Sequence, residues 1–343
     1  MRIGLTFDLK TDPADERQAE FDPPETIAAV SDALRALGHQ VVPLGSARDL
    51  VTAPWRLGEV ELVFNLAEGT HGRCREAWVP TLLELHGVPY VGSGPLALAL
   101  ALDKVACKRL ARAAGIPTPR WLCVERPSAL PMDIPLRFPL IVKPRHEGSG
   151  RGIDAGAVVE TPAALSRRIH WLFERCRQPL VVEEFIAGGE LTVCLIGNDP
   201  PHAYPAIQRP LDQATRLSCH LLTPAPSAWD APLTLHEPLD AQAREMARGM
   251  FSLLGCRDMA RVDLRVDGDG RPSVLEINPL PSFDPEGSLG LLAESLGTTY
   301  TALVGRILEA ALLRLGSVRP ASTSARPGSD PQSGNSATCV REG

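Results

Sequence analysis

No Cys-x-x-Cys pair occurs in this sequence, although it carries cysteines at 74, 107, 123, 176, 194, 219, 256 and 339. Thiols scattered in this way argue against a zinc site or a disulfide scaffold and suit a reducing cytosol. No basic block stands out. The 35 Lys and Arg are outnumbered by 41 Asp and Glu, for a formal net charge of −6, which argues against nucleic acid as the main partner. The longest apolar run, "LALALAL" at 96–102, is far too short to span a bilayer, so no membrane association is expected. Met1 leads directly into the strand-like "RIGLTFD", and no signal peptide is expected. There is no Walker A loop, no Gly-x-Gly-x-x-Gly and no internal repeat. What is present is 343 residues, 44% of them hydrophobic, enough for more than one domain.

The N-terminal part alternates strand and helix. Residues 2–7 read as a buried strand, and a helix follows over 25–37. Ile27, Val30, Leu34 and Leu37 fall on one face of it, with Gly38 as its stop. Strands "QVVPL" and "ELVFNL", a helix over 76–86 and "VPYVG" complete what reads as a parallel α/β layer. Asp103–Ala114 is a second helix, closed by Gly115 and Pro117. From 138 the pattern turns to hairpins with glycine-rich turns: "FPLIVKP", "RHEGSGRGI", "PLVVEEFI" and "AGGELTVCLIG". A helix over 240–254 places Met246, Met250 and Leu253 inward, and a last helix covers 299–315. Residues 316–343, rich in Ser, Pro, Gly and Arg, read as a disordered tail.

Four places carry chemistry. In "RVDLRVDGDGRPSVLEINPLP", 261–281, hairpin pairing puts Asp263 opposite Glu276 and Arg261 opposite Asn278. Facing carboxylates repel across a ladder unless water or a cation separates them. The all-oxygen set Asp263, Glu276 and Asn278 suits Mg²⁺, although a solvated hairpin fits the pattern equally well. "EGSGRG" can form a nest of backbone amides for phosphate, or simply a tight turn. Lys143 ends an apolar strand. Lys104 lies in the first turn of its helix, where the dipole disfavours a cation and a phosphate partner would explain it. "VVEEFIAGGE" ends a strand in Glu183, Glu184 and Phe185 and opens the next with Glu190, a set able to read adenine and ribose or to form a plain acidic turn.

Their order along the chain resembles the ATP-grasp superfamily, and within it the D-alanine–D-alanine ligase family. The matching stretches are "VFNL", "GVPYVGSGPLALALALDKVACKRL", "AGIPTP", "FPLIVKPRHEGSGRGI", "VVEEFIAGGELTV" and "RVDL…VLEINPLPS", spanning about 64–289. The resemblance implies an α/β ATP-grasp fold: an N-terminal parallel α/β domain over 1–95, then central (96–186) and C-terminal (187–315) subdomains whose antiparallel sheets clasp ATP. By the same resemblance Lys104, Lys143, Glu147 and Ser149 lie along the phosphates. Glu183, Glu184, Phe185 and Glu190 surround adenine and ribose. Asp263, Glu276 and Asn278 hold two Mg²⁺ ions, with Mn²⁺ as a substitute. Arg261 and the Ser282 backbone N–H meet the oxyanion, and Ser288 holds the second substrate's carboxylate.

The implied reaction is ATP-dependent carboxylate–amine ligation of two amino acids through an acyl phosphate, releasing ADP and phosphate. A cytoplasmic enzyme is implied, with ATP and small amino acids as partners and a homodimer as the candidate assembly. The departures concentrate at the first-substrate end. The family's Gly-Gly-x-Ser-x-Glu loop has no counterpart in "GLTFDLKTDPADERQAEFD", and Ala67 replaces a histidine. A loop tyrosine is also absent. The only tyrosines are Tyr90, Tyr204 and Tyr300, and Arg209, Arg216 and Leu217 are the loop candidates in its place. Asp8, Glu68, Arg73 and Arg75 are candidate substitutes at the subsite. A ligase with a different donor is one alternative, and a nucleotide-binding regulator without catalysis is another; the oxyanion arginine argues against the regulator.

Overall fold

Short apolar strands separated by capped helices build the first layer. β1 (Arg2–Thr6), β2 (Gln40–Gly45), β3 (Leu62–Asn65) and β4 (Tyr90–Val91) form a parallel sheet in the order β2-β1-β3-β4. This computed structural model describes residues 1–12, 14–212, 214–218 and 235–317. α1 (Pro24–Ala36) starts with proline at its first position, where no N–H is needed, and buries Val30 and Leu34. Leu37, expected on that face, is the C-cap and is exposed, because the chain turns at Gly38 with φ +87°. α2 (Ala47–Thr52) is held by a capping box between Ser46 and Asp49, and α3 (Trp78–His86) closes the layer. The apolar run at 96–102 is a helix, α4 (Pro95–Leu102), burying Leu98 and Leu102 while Leu96 is exposed. α5 (Lys104–Ala113) follows, capped by Asp103.

The central sheet is antiparallel, in the order β5-β8-β6-β7, from β5 (Trp121–Val124), β6 (Leu140–Pro144), β7 (Val158–Val159) and β8 (Leu180–Glu184). A helix absent from the hairpin reading, α6 (Pro162–Cys176), covers one face. Its Leu165, Ile169 and Leu172 pack on Leu140, Val142, Leu180 and Val182. The period of two then turns Ile141, Lys143 and Glu183 to the opposite face, which lines a cleft.

The third sheet contains β9 (Glu190–Ile196), β10 (His202–Ala203), β11 (Ile207–Arg209), β12 (Met259–Val266) and β13 (Pro272–Asn278), ordered β10-β9-β12-β13 with β11 also on β9. α7 (Glu237–Leu254) lies on it through Ala243, Ala247, Met250, Phe251 and Leu254. Of the three residues expected inward, Met250 is buried and Met246 and Leu253 are half-buried, because the small alanines rather than Met246 make the closest approach. α8 (Ser288–Ser295) and α9 (Tyr300–Ser317) return to the first layer. There Leu303, Val304, Ile307 and Ala311 share a core with Ile3, Leu5, Val30 and Leu34. Asp258, fully buried, ties the two ends together by accepting from Arg314 Nη2 (2.7 Å) and the Gly92 amide (2.8 Å). α9 runs through 316 and 317, inside the stretch expected as a tail; 219–234 and 318–343 lie outside the described residues. No helix among the described residues is long and apolar enough to cross a membrane.

Candidate active site

A cleft of about 510 Å³ opens between the central and third sheets, and all the residues that sequence reasoning singled out as cofactor, metal or reaction groups line it. β12 and β13 pair Arg261 with Asn278 and Asp263 with Glu276, as the hairpin pattern predicts. The register then slips, so that Leu264 faces Val274 and Leu275 bulges. Cations separate the facing carboxylates. Arg261 donates through Nε (3.1 Å) and Nη2 (2.8 Å) to Asp263 Oδ2, while Thr192 Oγ1 donates to Oδ1 (2.8 Å) and Asn278 Nδ2 lies at 3.3 Å. Lys104 Nζ is 3.0 Å from Glu276 Oε2 and donates to the Glu147 carbonyl at 2.6 Å. Burial opposes ionisation of Glu276, yet the charges of Lys104, Lys143 and Arg261 bring it down to about 2.

Lys104 is tolerated at a helix N-terminus because Asp103 caps that helix. Its Oδ1 accepts from the Val105 and Ala106 amides (both 3.1 Å), and Arg145 grips both its oxygens at 2.7 Å. Deeper in the cleft Glu183, 1% exposed, lies between Lys143 (3.0 Å) and Lys108 (3.2 Å). Burial opposes its charge, but the two ammonium groups hold its carboxyl below the ordinary value. Sequence reasoning missed Lys108; its signal was the i, i+4 spacing from Lys104, which puts both on one helix face.

The glycine turn has the backbone expected of an anion nest, with φ of +45° at Ser149, +70° at Gly150 and +77° at Gly152. A carboxylate already touches it: the Gly148 amide donates to Glu20 Oε1 at 2.5 Å. The Glu147 carboxylate accepts from Gln178 (2.6 Å) and Arg151 (3.0 Å), fixing the turn. Glu184 accepts from Arg137 N (3.0 Å) and Arg120 (3.3 Å), Phe185 stacks under the Arg265 guanidinium at 4.8 Å, and Glu190 lies 3.8 Å from Arg265. Burial raises the Glu190 carboxyl against the pull of Arg265. The hinge between β8 and β9 needs glycine, since a Cβ at Gly188 would collide with the Val266 carbonyl oxygen.

At the far end Ser282 Oγ accepts from the Asp284 amide (3.2 Å), and Ser288 Oγ accepts from Arg209 Nη2 (2.8 Å). Arg209 also donates to Thr192 Oγ1 at 2.7 Å and belongs to β11 rather than to a loop. Leu217 lines the cleft as well, whereas Arg216 turns to the Ala187 carbonyl (3.0 Å). The tyrosines serve elsewhere: Tyr90 donates to Glu84, Tyr300 to the Phe283 carbonyl, and Tyr204 accepts from Arg306. Of the candidate substitutes only Glu68 lines the cleft. Asp8 accepts from the Gly69 amide (2.7 Å), Arg75 pairs with Glu20 (2.5 Å), and Arg73 is exposed, 3.4 Å from Asp103. The segment without the glycine-rich loop does deliver carboxylates, Glu20 and Asp22, and Glu76 joins them. No motif marked these three, because a cluster assembled from separate loops has no spacing of its own.

Among the described residues no three His, Cys, Asp or Glu side chains converge into a metal-holding group. The hairpin's set of two carboxylates and an amide offers only oxygen donors, and Lys104 and Arg261 stand beside it as the cations it attracts.

The family model described as "D-ala D-ala ligase C-terminus" matches residues 110–309. The uncharacterized protein y4sG of Sinorhizobium fredii is 35% identical over 82% of this chain and 86% of its own length. A D-alanine–D-alanine ligase of Synechococcus sp. (strain JA-3-3Ab) is 34% identical over 88% and 93%. Among solved structures, the D-alanine–D-alanine ligase from Bacillus anthracis complexed with ATP superposes with a TM-score of 0.74 at 24% identity, covering 92% of this chain and 99% of that one. On the sequence relationships this chain belongs to the D-alanine–D-alanine ligase family.

Proposed function

We propose that the protein is an ATP-dependent ligase that joins two amino acids through an acyl phosphate, releasing ADP and phosphate. The observation that carries this reading is the convergence of Lys104, Lys143 and the glycine turn on the hairpin that holds Arg261, Asp263, Glu276 and Asn278. The division at about 95 and 186 belongs to the same proposal, as does a cytoplasmic setting. Asp263, Glu276 and Asn278 would hold Mg²⁺, which supplies neutralising charge for the triphosphate when bound.

The chain's own contribution is positioning and charge. Lys104 and Lys143, held in place by Glu276 and Glu183, are poised to turn to phosphate oxygens. Glu183 and Glu190 face adenine and ribose. The donor carboxylate attacks the γ-phosphate, and the acceptor amine then attacks the acyl carbon. Arg261 and the Ser282 amide donate to the oxyanion formed there, and phosphate leaves. Ser288, fixed by Arg209, orients the acceptor carboxylate.

The test is ATP turnover with Mg²⁺ against pairs of D- and L-amino acids, with product masses recorded. Expected are ADP, phosphate and a dipeptide in equal amounts, and a loss of orders of magnitude in Glu276→Gln. AMP with pyrophosphate would overturn the mechanism. Because the donor end is rebuilt, D-alanine should be outperformed by another donor by about tenfold in kcat/KM, or roughly 1.4 kcal/mol.

A further inference from the structure

The donor end of the cleft gathers more carboxyl groups than one amino acid can pair. Glu20, Asp22, Glu68 and Glu76 all line it. Glu20 is settled, with Arg75 Nη2 at 2.5 Å and Nε at 3.1 Å and the Gly148 amide on its other oxygen. The other three are not. Asp22 and Glu76 are each only 8% exposed, and among the described residues neither carboxylate accepts a hydrogen bond or forms an ion pair. Glu68, half-buried, likewise has neither among the described residues. Burying a carboxylate without a partner is unfavourable, and the group responds by holding its proton.

The shifts follow that pattern. Burial lifts Asp22 to about 7, with Lys10 opposing and Asp284 and Asp8 adding. Burial and then Glu20 lift Glu76 to about 8, against Arg75 and Lys104. Burial, followed by Glu76, Glu20 and Asp22, lifts Glu68, with Arg75 opposing. Hydrogen bonds order the groups: next to Glu76, Arg75 donates to the His146 carbonyl (2.7 Å) at the glycine turn, whereas the Asp22 amide donates to the Asp8 carbonyl (3.1 Å) and the Gly69 amide, next to Glu68, donates to Asp8 Oδ2 (2.7 Å).

Counting cationic partners decides what is missing. Lys10, tied to the Ala19 carbonyl at 3.4 Å, is the one cation among the cleft-lining described residues of the N-terminal layer, and it can partner one of the three carboxylates. The α-ammonium of a bound donor supplies a partner for a second. One carboxylate remains. We propose that Asp22 and Glu68 form a subsite for a second cationic group on the donor, so that the enzyme prefers a basic amino acid as the residue it activates. This rests on the ligase reading above, which puts the donor at this end of the cleft.

The experiment keeps one acceptor fixed and compares lysine, ornithine and arginine, in both configurations, with alanine, leucine and Nε-acetyl-lysine. The acetylated residue matches lysine in length but carries no side-chain charge. The expected result is a kcat/KM at least tenfold higher for a basic donor than for the acetylated one. In Asp22→Asn that ratio should collapse to within about threefold. Calorimetry of lysine binding at pH 7.5, in two buffers of different ionisation enthalpy, should show proton release that Nε-acetyl-lysine does not match. Ligation of neutral donors as efficient as that of basic ones would overturn the subsite and leave the ligase reading intact. If no amino-acid pair gives ADP and a product, both fall.

Discussion

Replacing Glu183 by glutamine removes one negative charge from between two buried ammonium groups and changes almost nothing in shape. The side chains of Glu183, Lys108 and Lys143 are 1%, 2% and 6% exposed, so water cannot compensate. Breaking a buried ion pair from one side costs about 3–5 kcal/mol, because the remaining charge is left unpaired. At about 2.1 cal/mol/K of unfolding entropy per residue, each kcal/mol is worth roughly 1.4 °C in Tm for 343 residues, so the variant should melt about 4–7 °C lower at pH 7.5. The sign with pH is fixed by the lowered carboxyl of Glu183. Its stabilisation is complete above the ordinary value of 4.5 and is lost as pH falls through the lower folded value, so the gap between the two proteins should close in acid. Lys108→Met in the Glu183→Gln background should recover much of the loss, since it removes the stranded charge. Thermal unfolding followed by circular dichroism reads all of this. A Glu183→Gln protein melting within 2 °C of the parent at pH 7.5 would refute the reasoning.

Two further expectations concern opposite ends of the cleft. Asp22 and Glu76, raised to about 7 and about 8, keep protons in the folded state that the unfolded chain releases at ordinary values near 4. Stability should therefore fall as pH rises from about 4 to 8, and a Glu76→Gln protein should lose less Tm across that range; superimposable pH profiles would contradict the assignment. Arg261→Lys should lower kcat by about 10²–10³-fold with little change in ATP affinity by fluorescence titration, because a lysine cannot reproduce the fork now gripping Asp263.

The cleft residues of the central and third sheets were legible because they lie on continuous elements. A strand pair fixes Asp263 against Glu276 by period alone, and a strand end fixes Lys143 and Glu183. Helices were harder where their signal was weak. α6 begins after Thr161 caps it, yet its apolar residues are interleaved with Arg167, Arg168 and Arg175, and the surrounding hairpins dominated the reading. At the donor end only Glu68 was named from the sequence, as one of four candidates without a motif. Glu20, Asp22 and Glu68 come from connecting segments and Glu76 from the helical turn Arg75–Ala77, and no spacing in the sequence records their meeting in the cleft. Arg209 was named as a loop candidate, but its contact with Ser288 depends on β11 pairing with β9, which the sequence does not record.

The most direct measurement of the central claim uses a donor amino acid labelled with ¹⁸O in its carboxylate, turned over with ATP, Mg²⁺ and an acceptor. If the carboxylate attacks the γ-phosphate, one labelled oxygen must pass to phosphate for each peptide bond formed, and mass spectrometry should find singly labelled phosphate in step with product. Unlabelled phosphate, or label appearing in AMP, would contradict the acyl-phosphate route on which the assignment of Lys104, Lys143 and Arg261 depends.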